Sequence, residues 1–180
     1  MSRLHTIAPA AATGPAADLF GAIKNAIGVV PNAYATVGSN SVVALKAALG
    51  LDAALRETSL SAREIEVIKL AVSATVGCDY CVAAHTLMGK KAGLNRESLR
   101  SIRSGAASGN ATDDALADFA RVLVSTTGTV PAAVLDAVKA AGYTDAQVVD
   151  TMLAIASITF TNLVNRVNDT VVDFPAPEPL

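Results

Sequence analysis

Apolar positions recur at helical spacing along most of the chain. Beyond the Gly38-Ser39-Asn40 break, Val42, Val43, Leu45 and Leu49 share a helical repeat that ends in the polar turn Glu57 to Ser59. Ser61-Ala62-Arg63-Glu64 has the spacing of a capping box, in which the Ser61 hydroxyl and the Glu64 carboxylate each satisfy a free backbone N–H. The helix it opens carries Ile65, Ile68 and Val72 on its core face and runs to about Gly77. Gly77 permits a sharp bend, and the next helix is expected from about Cys78 to Gly93, a suitable left-handed cap.

Asn95 is the next N-cap, for a short helix ending near Gly105, and Ser104 to Asn110 forms a polar connection. Thr112 is expected to cap the following helix, with Asp113 and Asp114 in its favourable first turn. Pro31 and Pro131 each suit a first helical position, where the missing N–H costs nothing. Thr144-Asp145-Ala146-Gln147 is a second capping box and leads into a long apolar helix to about Thr170. Ala92-Gly93-Leu94-Asn95 and Ala141-Gly142-Tyr143-Thr144 share a stop-and-restart pattern, a faint internal repeat. No stretch alternates with period two, so the reading is all-α: a flexible arm over 1–14, one helical domain over 15–174, and a tail over 175–180.

Composition narrows the class. Alanine accounts for 36 of 180 residues, hydrophobic residues for 52% and charged residues for 17%. That much apolar surface excludes a disordered chain, and the alanine favours closely packed helices. A net charge of −2 without a basic run argues against nucleic acid as a partner. Pro9, Gly14 and Pro15 interrupt the N-terminal segment, which reads against a signal peptide. The longest weakly polar stretch, Thr151 to Val164, is shorter than the roughly 18 apolar residues that suggest a membrane span. The expectation is a cytoplasmic protein without a membrane partner.

Only two cysteines occur, as Cys78-Asp79-Tyr80-Cys81. In a chain read as cytoplasmic, such a pair points to redox or metal chemistry before a structural staple. On one helix, Cys78, Cys81 and His85 stand at i, i+3 and i+7, so the imidazole lies one turn from a sulfur. The start of a helix favours thiolate, the reactive form. Glu66, among apolar neighbours on the preceding helix, is costly to bury without a partner, and a Gly77 bend would let it meet His85.

Glu66, eleven residues, Cys78-Asp79-Tyr80-Cys81, three residues and His85 together resemble the signature of the AhpD-like alkylhydroperoxidases of the carboxymuconolactone decarboxylase family. The flanking Leu60-Ser61-Ala62-Arg63-Glu64 and Val82-Ala83-Ala84 resemble it too, over roughly residues 60 to 95, as does the Asn162 to Asn168 segment. The resemblance implies a helical fold, a homotrimer or homohexamer, and a thiol peroxidase without metal or other cofactor. It makes Cys81 the peroxidatic sulfur, Cys78 the resolving one, and His85 with Glu66 the proton relay. The substrate would be an alkyl hydroperoxide or hydrogen peroxide, and a dithiol or thioredoxin-like protein would reopen the disulfide. Tyr80 stands where the best-known member has a His, and a phenol is a poor base at neutral pH.

Other readings remain open from sequence alone. The cysteines could be inert packing thiols, or join His85 and Glu66 as zinc ligands, although three ligands on one helix are unlike paired knuckles. Glu66 could pair with Lys69 at i+3. Tyr80 could pack with its hydroxyl near the site, and Asn162, Asn165 and Arg166 could bond between helices or subunits. His5 carries no assigned role. As alternatives to an enzyme of this type, a redox sensor or dithiol adaptor fits the same pair, and a lactone decarboxylase ranks below both.

Overall fold

The computed structural model describes residues 2–180, which form nine α-helices and, among the described residues, no strand. They are α1 (Gly14–Ile27), α2 (Asn32–Asn40), α3 (Val42–Leu55), α4 (Ala62–Thr75), α5 (Asp79–Lys91), α6 (Arg96–Ser104), α7 (Ala111–Thr126), α8 (Ala132–Ala140) and α9 (Asp145–Asn168). Both expected capping boxes form, Ser61 with Glu64 on α4 and Thr144 with Gln147 on α9. α1 was not marked by the sequence pattern. Only Phe20 and Ile23 are fully buried on it, with Ala16 and Leu19 packed beside them.

The remaining differences lie at helix ends. Pro31 and Pro131 are N-caps in extended backbone and not first helical residues. Asn110, not Thr112, caps α7, its Oδ1 accepting from Thr112 N (3.1 Å) and Asp113 N (3.2 Å). Cys78 is itself the N-cap of α5. α9 ends at Asn168, with Asp169 in the left-handed region after it. The two linkers with similar sequence close alike, Leu94 N on Gly89 O and Tyr143 N on Val138 O. The likeness does not extend to the elements they introduce, nine residues in α6 against 24 in α9.

α4 is the centre of the molecule, packed by α5, α6, α7 and α9. Every residue from Glu66 to Ser73 is buried, so this helix has no solvent face and its polar residues must find partners inside. Around it lies the larger core, with Leu70, Ile102, Leu116, Phe119 and Ile158. A second cluster, Phe20, Ile23, Val30, Ala35, Val37 and Leu45, joins α1, α2 and α3. α9 serves both, since Ala154 and Ile158 belong to the first core while Phe160 and Val164 pack on the second.

By length and composition alone α9 could cross a membrane. Its Thr151, Ser157, Asn162, Asn165 and Asn168 are buried against protein. Asn168 ties the N-terminal segment down, its Oδ1 accepting from Arg3 N (3.1 Å) and Leu4 N (2.7 Å).

Gly38 is a packing glycine. A Cβ there would lie 2.5 Å from Phe20 Cε1 and 2.8 Å from Leu45 Cδ2, both in buried side chains. Gly38→Ala gains about 1 kcal/mol of helix propensity but forces the Phe20 ring aside at about 1–3 kcal/mol. A net destabilisation of about 1 kcal/mol is expected, read as a thermal midpoint about 2–4 °C lower.

Candidate active site

Three features bring the site together. Gly77 has φ +67° and turns the chain between α4 and α5, so that the two helices pack on each other. The turn leaves Cys78 as N-cap of α5, with Cys81 in the first turn, and both are buried. α9 packs against α4 and α5 and delivers amide side chains to the same place.

The two sulfurs are in hydrogen-bond contact at 2.7 Å and form no disulfide. Cys81 N–H donates to Cys78 Sγ (3.4 Å), and Asn165 Nδ2 donates to Cys81 Sγ (3.4 Å). Two thiols this close share a proton, because two adjacent buried negative charges repel strongly. With that proton on Cys81, its hydrogen bond pulls Cys78 down to about 7 against the opposing effect of burial, with help from Cys81 N–H and Asn162. Cys81 is pushed above the ordinary thiol range, first by that hydrogen bond and then by burial and the Cys78 charge.

His85 and Glu66 meet as expected, Nδ1 to Oε2 at 2.7 Å, with both side chains largely shielded. They occupy facing turns of α5 and α4. Glu66 thus does not take Lys69, which pairs with Asp52 Oδ1 at 2.7 Å. Nor do the cysteines, His85 and Glu66 converge as zinc ligands would. Among the described residues no three His, Cys, Asp or Glu side chains gather around a common point. The site is two pairs, the thiols at the start of α5 and, one turn on, His85 with Glu66 of α4.

Tyr80 has a structural post. Its hydroxyl accepts from Ala33 N (3.1 Å), one of the free N–H groups at the start of α2. Its ring meets Phe174 edge-on at 5.5 Å. Burial, above all, raises its pKa far beyond the usual phenol range, so it has no part as a base.

Sequence reasoning overlooked a polar network beside the thiols. Asp52 accepts from Lys69 Nζ (2.7 Å), Ser157 Oγ (2.8 Å) and Tyr34 Oη (2.9 Å). Burial opposes the Asp52 charge, but Lys69 and these hydrogen bonds outweigh it and hold the carboxyl below its usual range. From Lys69 the chain of contacts continues through Ser73, which donates to Lys69 O (2.7 Å) and accepts from Asn162 Nδ2 (3.2 Å). Asn162 and Asn165 make the inter-helix bonds expected of them, whereas Asp52, Tyr34 and Ser157 carried no signal in the sequence. Arg166 is exposed.

A bundle of helices carrying a CxxC at a helix start, with a Glu–His pair on the next turn, is an AhpD-like fold. Residues 43–124 match the model of the Carboxymuconolactone decarboxylase family and contain all five predicted site residues. That segment resembles the family, and the whole chain has the AhpD-like fold. Among solved structures, a peroxidase-related protein with an alkylhydroperoxidase AhpD core from Ralstonia eutropha JMP134 superposes with a TM-score of 0.84 at 22% identity, over 96% of this chain and 92% of that one. The debrominase Bmp8 superposes at 0.80 with 18% identity, over 98% and 95% of the two chains, and a substituted form of it is bound to 2,3,4-tribromopyrrole. A peroxidase-related protein from Silicibacter sp. TM1040 gives 0.77 at 21%, over 95% and 94%. No curated protein matches the sequence.

The shared proton has a direct readout. The ultraviolet thiolate absorbance of the reduced protein should rise in a one-thiol step centred near pH 7, with Cys78 ionised above it and protonated below. Cys78→Ser should remove the step, and Cys81→Ala should move it upward by removing the hydrogen bond that lowers it. A step left at the ordinary thiol value of about 8.5 in the unsubstituted protein would contradict the shared proton.

Proposed function

We propose that this protein is a thiol-dependent peroxidase that reduces alkyl hydroperoxides or hydrogen peroxide through a Cys78–Cys81 disulfide cycle. The observation that carries the reading is the buried pair of reduced sulfurs at 2.7 Å at the start of α5, beside the Glu66–His85 pair. Cys81 passes its proton to Cys78, and the Cys81 thiolate attacks the distal oxygen of the hydroperoxide. The O–O bond breaks, the oxygen is carried off as the sulfenic acid of Cys81, and the leaving alkoxide takes a proton to become an alcohol, or water from hydrogen peroxide. Cys78, losing its proton towards the His85–Glu66 relay, attacks the Cys81 sulfur, forms the disulfide and expels hydroxide, which becomes water. A dithiol or thioredoxin-like reductant of the cytoplasm then returns both sulfurs to thiols by exchange. Overall, one hydroperoxide takes two electrons from one dithiol.

One observation favours a second assignment of roles within this cycle. Cys78 Sγ is the N-cap of α5 and accepts Cys81 N–H, a setting that favours its thiolate, so Cys78 could be the attacking sulfur and Cys81 the resolving one. Bmp8 also shows that this fold can serve a bromopyrrole, so peroxide and organohalide should be compared on the same protein. A homotrimer or homohexamer is part of the proposal. The exposed Val149, Met152, Leu163 and Val167 along α9 support it, and sedimentation should give three or six chains.

Hydroperoxide consumption with a dithiol reductant should be catalytic, and a rate no faster than that of a free thiol would leave the redox-sensor reading in its place. Cys81→Ser should abolish consumption, and Cys78→Ser should leave a sulfenic acid that a nucleophilic sulfenate probe traps. The reverse pattern would exchange the two roles. His85→Gln should slow disulfide closure and raise the pH at which Cys78 resolves the sulfenic acid.

A further inference from the structure

Asn162 and Asn165 stand out among the buried polar groups. Each is at least 96% buried, each uses its Nδ2 on a neighbour, and the Oδ1 of each has no hydrogen-bond partner. An amide oxygen left without a donor inside a protein costs about 1–3 kcal/mol, so such groups are normally satisfied by water or a ligand. In Asn165 the unpaired oxygen shares its amide carbon with the nitrogen that donates to Cys81 Sγ. An acceptor therefore lies beside the sulfur, on a side chain already held by it. A group filling that place must bring an O–H or N–H to within reach of Cys81.

We infer that Asn165 positions the substrate by accepting the hydrogen bond of the terminal O–H of a hydroperoxide, while its Nδ2 holds the Cys81 sulfur. The inference rests on the peroxidase reading and deepens it. The distal oxygen, which is the atom attacked, is also the one that carries the hydrogen, so a single amide places nucleophile and electrophile together. After transfer, that oxygen and its hydrogen become the S–O–H of the Cys81 sulfenic acid and keep the same acceptor. The burial of both sulfurs fits a substrate that inserts only its peroxidic head. A hydroperoxide would be recognised by its O–H, and an electrophile without such a donor would gain nothing from Asn165.

The test compares two reagents on Cys81 in a Cys78→Ser background, where it is the sole thiol. The rate of oxidation by tert-butyl hydroperoxide is divided by the rate of reaction with methyl methanethiosulfonate, which has no O–H or N–H. The ratio cancels changes in thiolate fraction and access. Asn165→Leu should lower the ratio about tenfold, the worth of one lost hydrogen bond. Asn165→Asp keeps an acceptor oxygen while losing the donor to sulfur, and its ratio should stay within about twofold of the parent although both rates fall. An unchanged ratio in Asn165→Leu, or an equal fall in Asn165→Asp, would overturn the positioning role. If Asn165→Leu does not fold, Asn165→Ala replaces it with the same expected fall. Failure of Cys81 to be oxidised in the parent background would instead overturn its assignment as the attacking sulfur, an outcome seen before any Asn165 variant is made.

Discussion

Two thiols buried in contact can hold one negative charge between them but not two, and that restriction organises the region around them. A lone buried thiolate is expensive unless donors are aimed at it. Three donors, from two helices, are aimed at the pair. The first turn of α5 offers Cys81 N–H to Cys78, and α9 offers the Asn165 amide to Cys81. The third donor is the neighbouring thiol itself, and it acts most strongly on Cys78. None of these is a full positive charge, so the site stabilises the thiolate by oriented dipoles alone.

The polar side chains of α4 are kept paired. This helix is buried all round, yet carries Glu66, Lys69 and Ser73 at spacings of three and four residues. Glu66 is matched by His85 and Lys69 by Asp52, with Ser157 and Tyr34 also bonding to Asp52. Buried ion pairs contribute little net stability, because desolvation offsets most of their attraction, whereas an unpaired member is strongly destabilising. Their value here is positional. The Asp52 cluster links α2, α3, α4 and α9, so the helix that carries Glu66 and the helix that carries Asn165 are held in a fixed relation.

What could be read in the sequence was local. The two capping boxes depend on residues three apart and form as their spacing requires, and Glu66, Cys78, Cys81 and His85 sit on two helices joined by one glycine turn. The errors at Pro31, Thr112 and the start of α5 are shifts of one or two residues, where several cap geometries compete. The partner of Lys69 could not be found this way. A local rule offers Glu66 at i−3, but tertiary packing brings Asp52 from 17 positions away and leaves Glu66 to His85. The Asn165 contact to Cys81 spans 84 positions and depends on how α9 crosses α5. Its only trace in the sequence is a line of hydroxyl and amide residues on a helix that otherwise looks apolar.

The abundance of alanine bears on that crossing. Cysteine, serine and asparagine reach only two or three bonds from the backbone, so contacts such as Asn165 to Cys81 and Asn162 to Ser73 need helices at the close end of the usual 8–10 Å spacing. Large side chains between α4, α5 and α9 would hold the axes apart and leave these short groups without partners. Each of these helices buries an alanine essentially completely: Ala71 on α4, Ala83 on α5 and Ala154 on α9. A small-residue core thus has a cost and a use. It buries less apolar surface per residue than a core of leucine and phenylalanine would, and in return it lets a thiol pair be reached by amides from a helix more than 80 residues away.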